Sequence, residues 1–98
     1  MNVTIDSMLI RDQELAAADV DGRLVVLSLA AGSYFDFNPV ASEIWHMLGE
    51  PCPVREIFDR LSKRHGVNAE TLTRDVIPFL QTLADEHLVR MLAPEEVR

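Results

Sequence analysis

The stretch Gly32-Ser33-Tyr34-Phe35-Asp36-Phe37-Asn38-Pro39-Val40-Ala41-Ser42-Glu43-Ile44-Trp45 decides the fold, because the hydrophobic period changes inside it. Over residues 34–37 the period is two: Tyr34 and Asp36 point to one face and Phe35 and Phe37 to the other, as in a strand. Asn38-Pro39 then starts a helix. The Asn38 side chain can accept from the free amides, and a proline at the first helical position gives up no hydrogen bond. Val40, Ile44 and Leu48 form one stripe of that helix with Trp45 alongside, and Gly49 can close it. Strand signals thus precede Phe37 and helical ones follow Pro39.

Toward the N-terminus, the β-branched run over 23–29 is the best strand in the chain. Asp21-Gly22 before it is a tight-turn dipeptide, preceded by a strand over 15–20 that three alanines dilute. Residues 31–33 turn the chain back into the 34–37 strand, so the three form an antiparallel meander. Met8-Leu9-Ile10 is a further short strand candidate, and residues 1–14 read as an N-terminal arm or an extra strand.

Toward the C-terminus, Pro51-Cys52-Pro53 forces an extended break. Val54, Ile57, Phe58 and Leu61 then mark a second helix, with Gly66 as its C′ residue. Asn68 caps a third helix, expected over 69–87, whose stripe is Leu72, Val76, Phe79, Leu80 and Leu83. Pro78 interrupts it. Either the helix bends there or a shorter pair of helices meets, and the unbroken phase of the stripe favours the bend. Residues 88–92 are a short apolar exit that can add a strand. The expected fold class is α+β: a winged-helix-like domain over 15–93, with a three-stranded antiparallel meander followed by three helices, then a tail over 94–98.

Composition bounds the function. The chain has 98 residues, 48% hydrophobic and 26% charged, with 16 acids against 9 Lys and Arg and a formal charge of −7. Residues 1–50 contribute −6 of this and residues 51–98 only −1. An acidic chain without a segregated basic face does not suit nucleic acid. The third helix offers only Arg74 against four carboxylates, so it cannot serve as a recognition helix for the major groove either. The longest near-apolar run, 24–31, is far short of the roughly 20 residues that cross a bilayer. The acidic N-terminus does not read as a signal peptide, and one cysteine permits no internal disulfide. The expectation is a cytoplasmic domain with neither membrane nor nucleic-acid partners.

Catalytic patterns are missing. His46, His65 and His87 lie apart, without the spacing of a metal site. Cys52 has no histidine near it in sequence, and neither a nucleophile elbow nor a phosphate-binding glycine loop occurs. No catalytic residue, metal or other cofactor is expected, and the chain reads as a non-enzyme. The 34–37 strand is the remaining feature. On its residues alone it is either an open edge beside a helix, able to take an extended peptide, or a short, harmless edge whose phenylalanines belong to the core.

Residues 21–91 resemble the PqqD-like family, the small recognition elements of ribosomal peptide biosynthesis. Asp21-Gly22, the 24–29 run, the Gly32-to-Asn38 turn and strand, Ala41, Ile44, Trp45, Ile57, Leu61, Asp75-Val76, Phe79-Leu80, Leu83 and Leu88 carry the likeness as an ordered set. The resemblance implies a non-catalytic domain that binds the leader segment of a precursor peptide as an added strand. Tyr34, Phe35, Asp36 and Phe37 would form one wall, and Arg74, Asp75, Ile77, Pro78 and Gln81 on the third helix the other. The free-standing leader-binding members of lasso-peptide clusters are most similar, which implies delivery to a leader peptidase and a macrolactam-forming cyclase. The alternatives are the pyrroloquinoline-quinone pathway protein, a peptide chaperone for a radical-SAM enzyme, and a winged-helix protein–protein adaptor or regulator. Pro78 departs from the family pattern.

Overall fold

Asp21 and Gly22 hold φ of 54° and 82°, the two left-handed residues of a type I′ turn, whose twist matches the strands on either side. The computed structural model of the chain describes residues 2–13, 15–28 and 32–93. Its elements run β1 (Met8–Arg11), β2 (Ala16–Val20), β3 (Arg23–Ser28), β4 (Ser33–Phe37), α1 (Pro39–Met47), β5 (Cys52–Pro53), α2 (Val54–His65), α3 (Ala69–Asp85) and β6 (Val89–Met91). Residue 29 of the expected 23–29 strand, residue 31 of the expected 31–33 turn and the 94–98 tail lie outside the described residues.

β2, β3 and β4 form the antiparallel meander, in that order across the sheet. β1 does not extend it. It is the central strand of a second sheet, ordered β5-β1-β6, in which Leu9 faces Cys52 on one side and Met91 on the other. Residues from the two ends of the chain and from the proline break are therefore one structural unit. Arg11 fastens that unit to α1: its guanidinium lies 5.5 Å from the Trp45 ring centroid and donates to the Trp45 carbonyl at 3.0 Å. A cation–π contact and a bond to a helix-end carbonyl thus share one side chain.

The helix boundaries follow the local chemistry. Asn38 Oδ1 accepts from the Ala41 amide and Asn68 Oδ1 from the Thr71 amide, both at 2.8 Å. Gly66 ends α2 at φ 67°. α3 runs as one helix through Pro78; Arg74, whose carbonyl loses its partner, and Pro78 itself are both exposed, so water can solvate the freed group. The helix stops at Asp85 rather than at 87. His87 takes φ 62°, its amide donates to Ala84 and the Leu88 amide reaches back to Leu83 at 2.8 Å. This is a Schellman stop built on a histidine where glycine is usual.

The core lies between the sheets and helices. Leu24, Val26 and Phe37 from the meander meet Ile44, Trp45 and Leu48 of the α1 region, Ile57 and Leu61 of α2, and Val76, Leu80 and Leu83 of α3. Val40, expected in the α1 stripe, is 40% exposed instead.

Two predictions test the second sheet. Leu9 is fully buried, so Leu9→Ala should cost about 2–5 kcal/mol, as truncation of a buried leucine does, read from the urea midpoint; a residue on a loose arm would cost almost nothing. Burial, reinforced by the Glu56 carboxylate, pushes the Cys52 thiol up to about 11. The unfolded chain therefore loses its thiol proton at lower pH than the folded one, and stability falls as pH rises from about 9 to about 11. Wild-type protein should lose stability relative to Cys52→Ala through that window.

Candidate functional site

The register of the meander fixes which backbone groups are free. In a two-residue hairpin the flanking residues, here Val20 and Arg23, exchange hydrogen bonds. Bonding alternates along an antiparallel pair, so Arg23, Val25 and Leu27 turn their N–H and C=O groups toward β2, and Leu24, Val26 and Ser28 turn theirs toward β4. Their partners there are Phe37, Phe35 and Ser33. Tyr34 and Asp36 consequently direct both N–H and C=O away from the sheet, along the open edge of β4. At the opposite edge Ala17 and Asp19 do the same.

The same alternation sorts the side chains. Phe37 is buried and Phe35 half-buried, while Tyr34 is 68% exposed and Asp36 is exposed. The Phe37 ring lies 5.6 Å from both Trp45 and Phe79, edge-on to the latter, a favoured aromatic geometry. It thereby holds the end of β4 between α1 and α3. Just beyond that end lies a groove of about 350 Å³. Asn38, Val40, Ala41 and Ile44 form its α1 side, and Asp75, Val76 and Phe79 its α3 side. The groove is apolar with one carboxylate at its rim, and Asn38, on its wall, directly follows the last residue of β4.

The structure divides the residues expected on α3. At about 100° per residue, Asp75 and Phe79 share one flank of the helix and face the groove. Arg74, exposed beside it, donates to Asp75 Oδ1 at 3.0 Å. That hydrogen bond holds the Asp75 carboxyl below the usual carboxylate range and the Arg74 guanidinium above its own. Ile77 packs half-buried against the core and Gln81 lies on the same far flank. Gln81 Oε1 accepts from the Val3 amide at 2.7 Å and its Nε2 donates to Asp85 at 2.9 Å, so it engages the N-terminal segment rather than the groove. Pro78 is exposed on the outer side of the helix. On β4, Asp36 is ion-paired with Arg23 at 2.8 Å.

Sequence reasoning missed Asn38, Val40 and Ala41 as groove residues. The signal was present: Val40 and Ala41 precede the buried Ile44 by four and three residues, so they sit on its flank. Phe79 serves the core stripe and the groove together. Elsewhere, Cys52 is buried, and the ring of His65 meets the Glu43 carboxylate at 3.0 Å, tying α2 to α1. Among the described residues no cluster of three or more His, Cys, Asp or Glu could hold a metal, and no helix is long and apolar enough to cross a membrane.

Comparison with known proteins bears on the family and the fold. No curated protein matches the chain. The solved structure described as TbiB1 in complex with the TbiA(beta) leader peptide is similar to it, with 31% sequence identity, a TM-score of 0.72, and coverage of 86% of this chain and 98% of that one. Residues 23–89, from the first residue of β3 to the first of β6, match the family described as Coenzyme PQQ synthesis protein D (PqqD). Over two-thirds of its length, the chain belongs to the PqqD family.

Proposed function

We propose that this chain is a non-catalytic recognition domain for the leader segment of a ribosomally made precursor peptide. The leader adds as a strand to the open edge of β4, and its apolar side chains enter the groove between α1 and α3. The observation that carries this reading is the edge itself: Tyr34 and Asp36 offer two N–H and two C=O groups beside an apolar groove. The likeness to a structure holding a leader peptide supports it. Asp75 at the groove rim suits a basic or hydroxyl group on the peptide, and Arg74 beside it tunes that carboxylate. Phe35 and Phe37 form the floor of the strand wall. Ile77, Pro78 and Gln81, from the set that the resemblance implies, fix α3 and its far flank and lie outside the contact surface of this reading.

In this role the domain would deliver its peptide to a leader peptidase and a macrolactam-forming cyclase of a lasso-peptide pathway. No cofactor enters the reading, and the protein would work in the cytoplasm. Three of the four Lys and Arg residues of α2 are matched by carboxylates, Arg55 with Asp6, Lys63 with Asp59 and Arg64 with Glu43, which leaves little free positive charge there for nucleic acid. The description of the family favours a second reading, service to a radical-SAM enzyme in coenzyme PQQ synthesis. The two are separated by which precursor the protein takes up.

A fluorescent leader from the precursor encoded beside this chain should bind with Kd below about 1 μM, near −8 kcal/mol; an unchanged anisotropy with micromolar protein would overturn the reading. Tyr34→Pro removes one outward N–H and leaves the β3 ladder intact, a position where an edge strand tolerates proline. It should weaken the leader roughly three- to tenfold, the worth of about one backbone hydrogen bond. Ala17→Pro, the same change on the opposite edge, should leave affinity alone. Asp75→Arg should lower affinity at an unchanged urea midpoint.

A further inference from the structure

β2 is the other open edge of the meander. All five of its residues are exposed, and they pair with β3 in unbroken register. The edge has no proline, lysine or bulge to blunt it, although natural edges are commonly guarded by such devices. Ala17 and Asp19 direct their N–H and C=O groups outward from it, as the hairpin register requires. Their side chains turn to the inner face of the sheet, where they line a pocket of about 250 Å³ together with Arg11, Leu24 and Trp45. Arg11 and Asp19 share this pocket, yet among the described residues neither belongs to an ion pair. An open strand edge thus lies over one unmatched cation and one unmatched anion.

We infer that the occupant of this edge is β2 of a second copy of the chain, paired antiparallel about a two-fold axis. Any extended strand could answer the backbone groups; a second copy also answers the charges. Three registers use the outward residues. With Asp19 opposite Asp19, like charges stand directly across from each other, which destabilises a sheet. With Ala17 opposite Ala17, Asp19 reaches past the start of the partner strand. With Ala17 opposite Asp19, both outward residues of each copy are used and four backbone hydrogen bonds form. In that register Ala18 meets Ala18 on the axis, at the close spacing of about 4.5 Å between Cα atoms, which small side chains suit. Val20, 52% exposed in the single chain, then covers Ala16 of the second copy. Asp19 of the second copy stands across from Ala17, over the pocket that holds Arg11, so each unmatched carboxylate is brought to an unmatched guanidinium. The contact is isologous, as a two-fold dimer requires. It leaves both β4 edges free, at the two far ends of a six-stranded sheet, and does not depend on what binds there. Five residues a side make a small interface, and two chains of formal charge −7 repel. The dimer is therefore weak, with a dissociation constant of about 100 μM.

The test is sedimentation equilibrium of the full chain from about 10 μM to about 1 mM, a range that brackets that constant. Wild type should pass from monomer to dimer and go no further, because the pairing closes on itself. Ala17→Pro removes two of the four hydrogen bonds and should raise the dissociation constant about tenfold or more. Asp19→Arg sets two guanidiniums at each pocket and should raise it about threefold or more. Both positions are exposed, so dilute samples of each variant should keep the wild-type urea midpoint. Two controls locate the contact: Tyr34→Pro alters the β4 edge and Leu27→Lys the outer face of the sheet, and each should dimerise as wild type does. A wild type that stays monomeric throughout the range would overturn the inference. So would a dimer that Ala17→Pro leaves intact, or one that Tyr34→Pro or Leu27→Lys dissolves, since the second copy would then sit on another surface.

Discussion

Phe37 touches two other rings, Trp45 of α1 and Phe79 of α3, each at a centroid distance of 5.6 Å, and most of the site follows from that placement. A strand cannot bury one residue without turning its neighbours the other way. With Phe37 committed to the core, Asp36 and Tyr34 must face outward with their side chains, and the hairpin register turns their backbone groups to the open edge. The same ring packs the end of β4 against Phe79, which also lines the groove. Trp45 is held in turn by Arg11, so β1 and the distant segments paired with it stand behind the aromatic contact.

Much of this was legible in the sequence because it is local. The alternation of residues 34–37, the Asn38-Pro39 start, the Asn68 cap and Gly66 each act within a few residues, and each appears where its chemistry places it. The short strands near residues 8–10 and 88–92 were legible as apolar stretches, but their joining into a second sheet was not. β5 and β6 have two and three residues, too few to show a period, and their pairing with β1 joins residues more than 40 and about 80 positions apart. The Schellman stop at His87 was hidden for a different reason: only the backbone reveals it, since the usual signal at that position is glycine or asparagine.

The candidate site was half legible. Its strand wall is written in the alternation of four residues. Its helix wall is not, because a helical stripe says which residues are buried but not what stands beside each flank. Asp75 and Gln81 looked alike as polar residues next to a core stripe. The fold sets one beside a groove and the other against the amide of Val3. The burial of Phe35 and Phe37 and the openness of the edge, which looked like alternatives, coexist, because side chains and backbone groups of one strand point in different directions.

The relative worth of edge and groove can be argued from magnitudes. Ordering one residue of a free peptide costs about 1–2 kcal/mol of backbone entropy, whereas one backbone hydrogen bond, exchanged for bonds to water, returns about 1 kcal/mol net. On the leader-binding reading proposed above, the edge of β4 alone therefore would not hold a peptide; it would align one. Net affinity must come from apolar side chains entering the groove, each contributing about 1.5–3 kcal/mol when fully buried. The division suits the recognition role proposed above. An edge that reads only backbone accepts any extended segment in a fixed direction and register, and a few apolar anchors decide which segment stays.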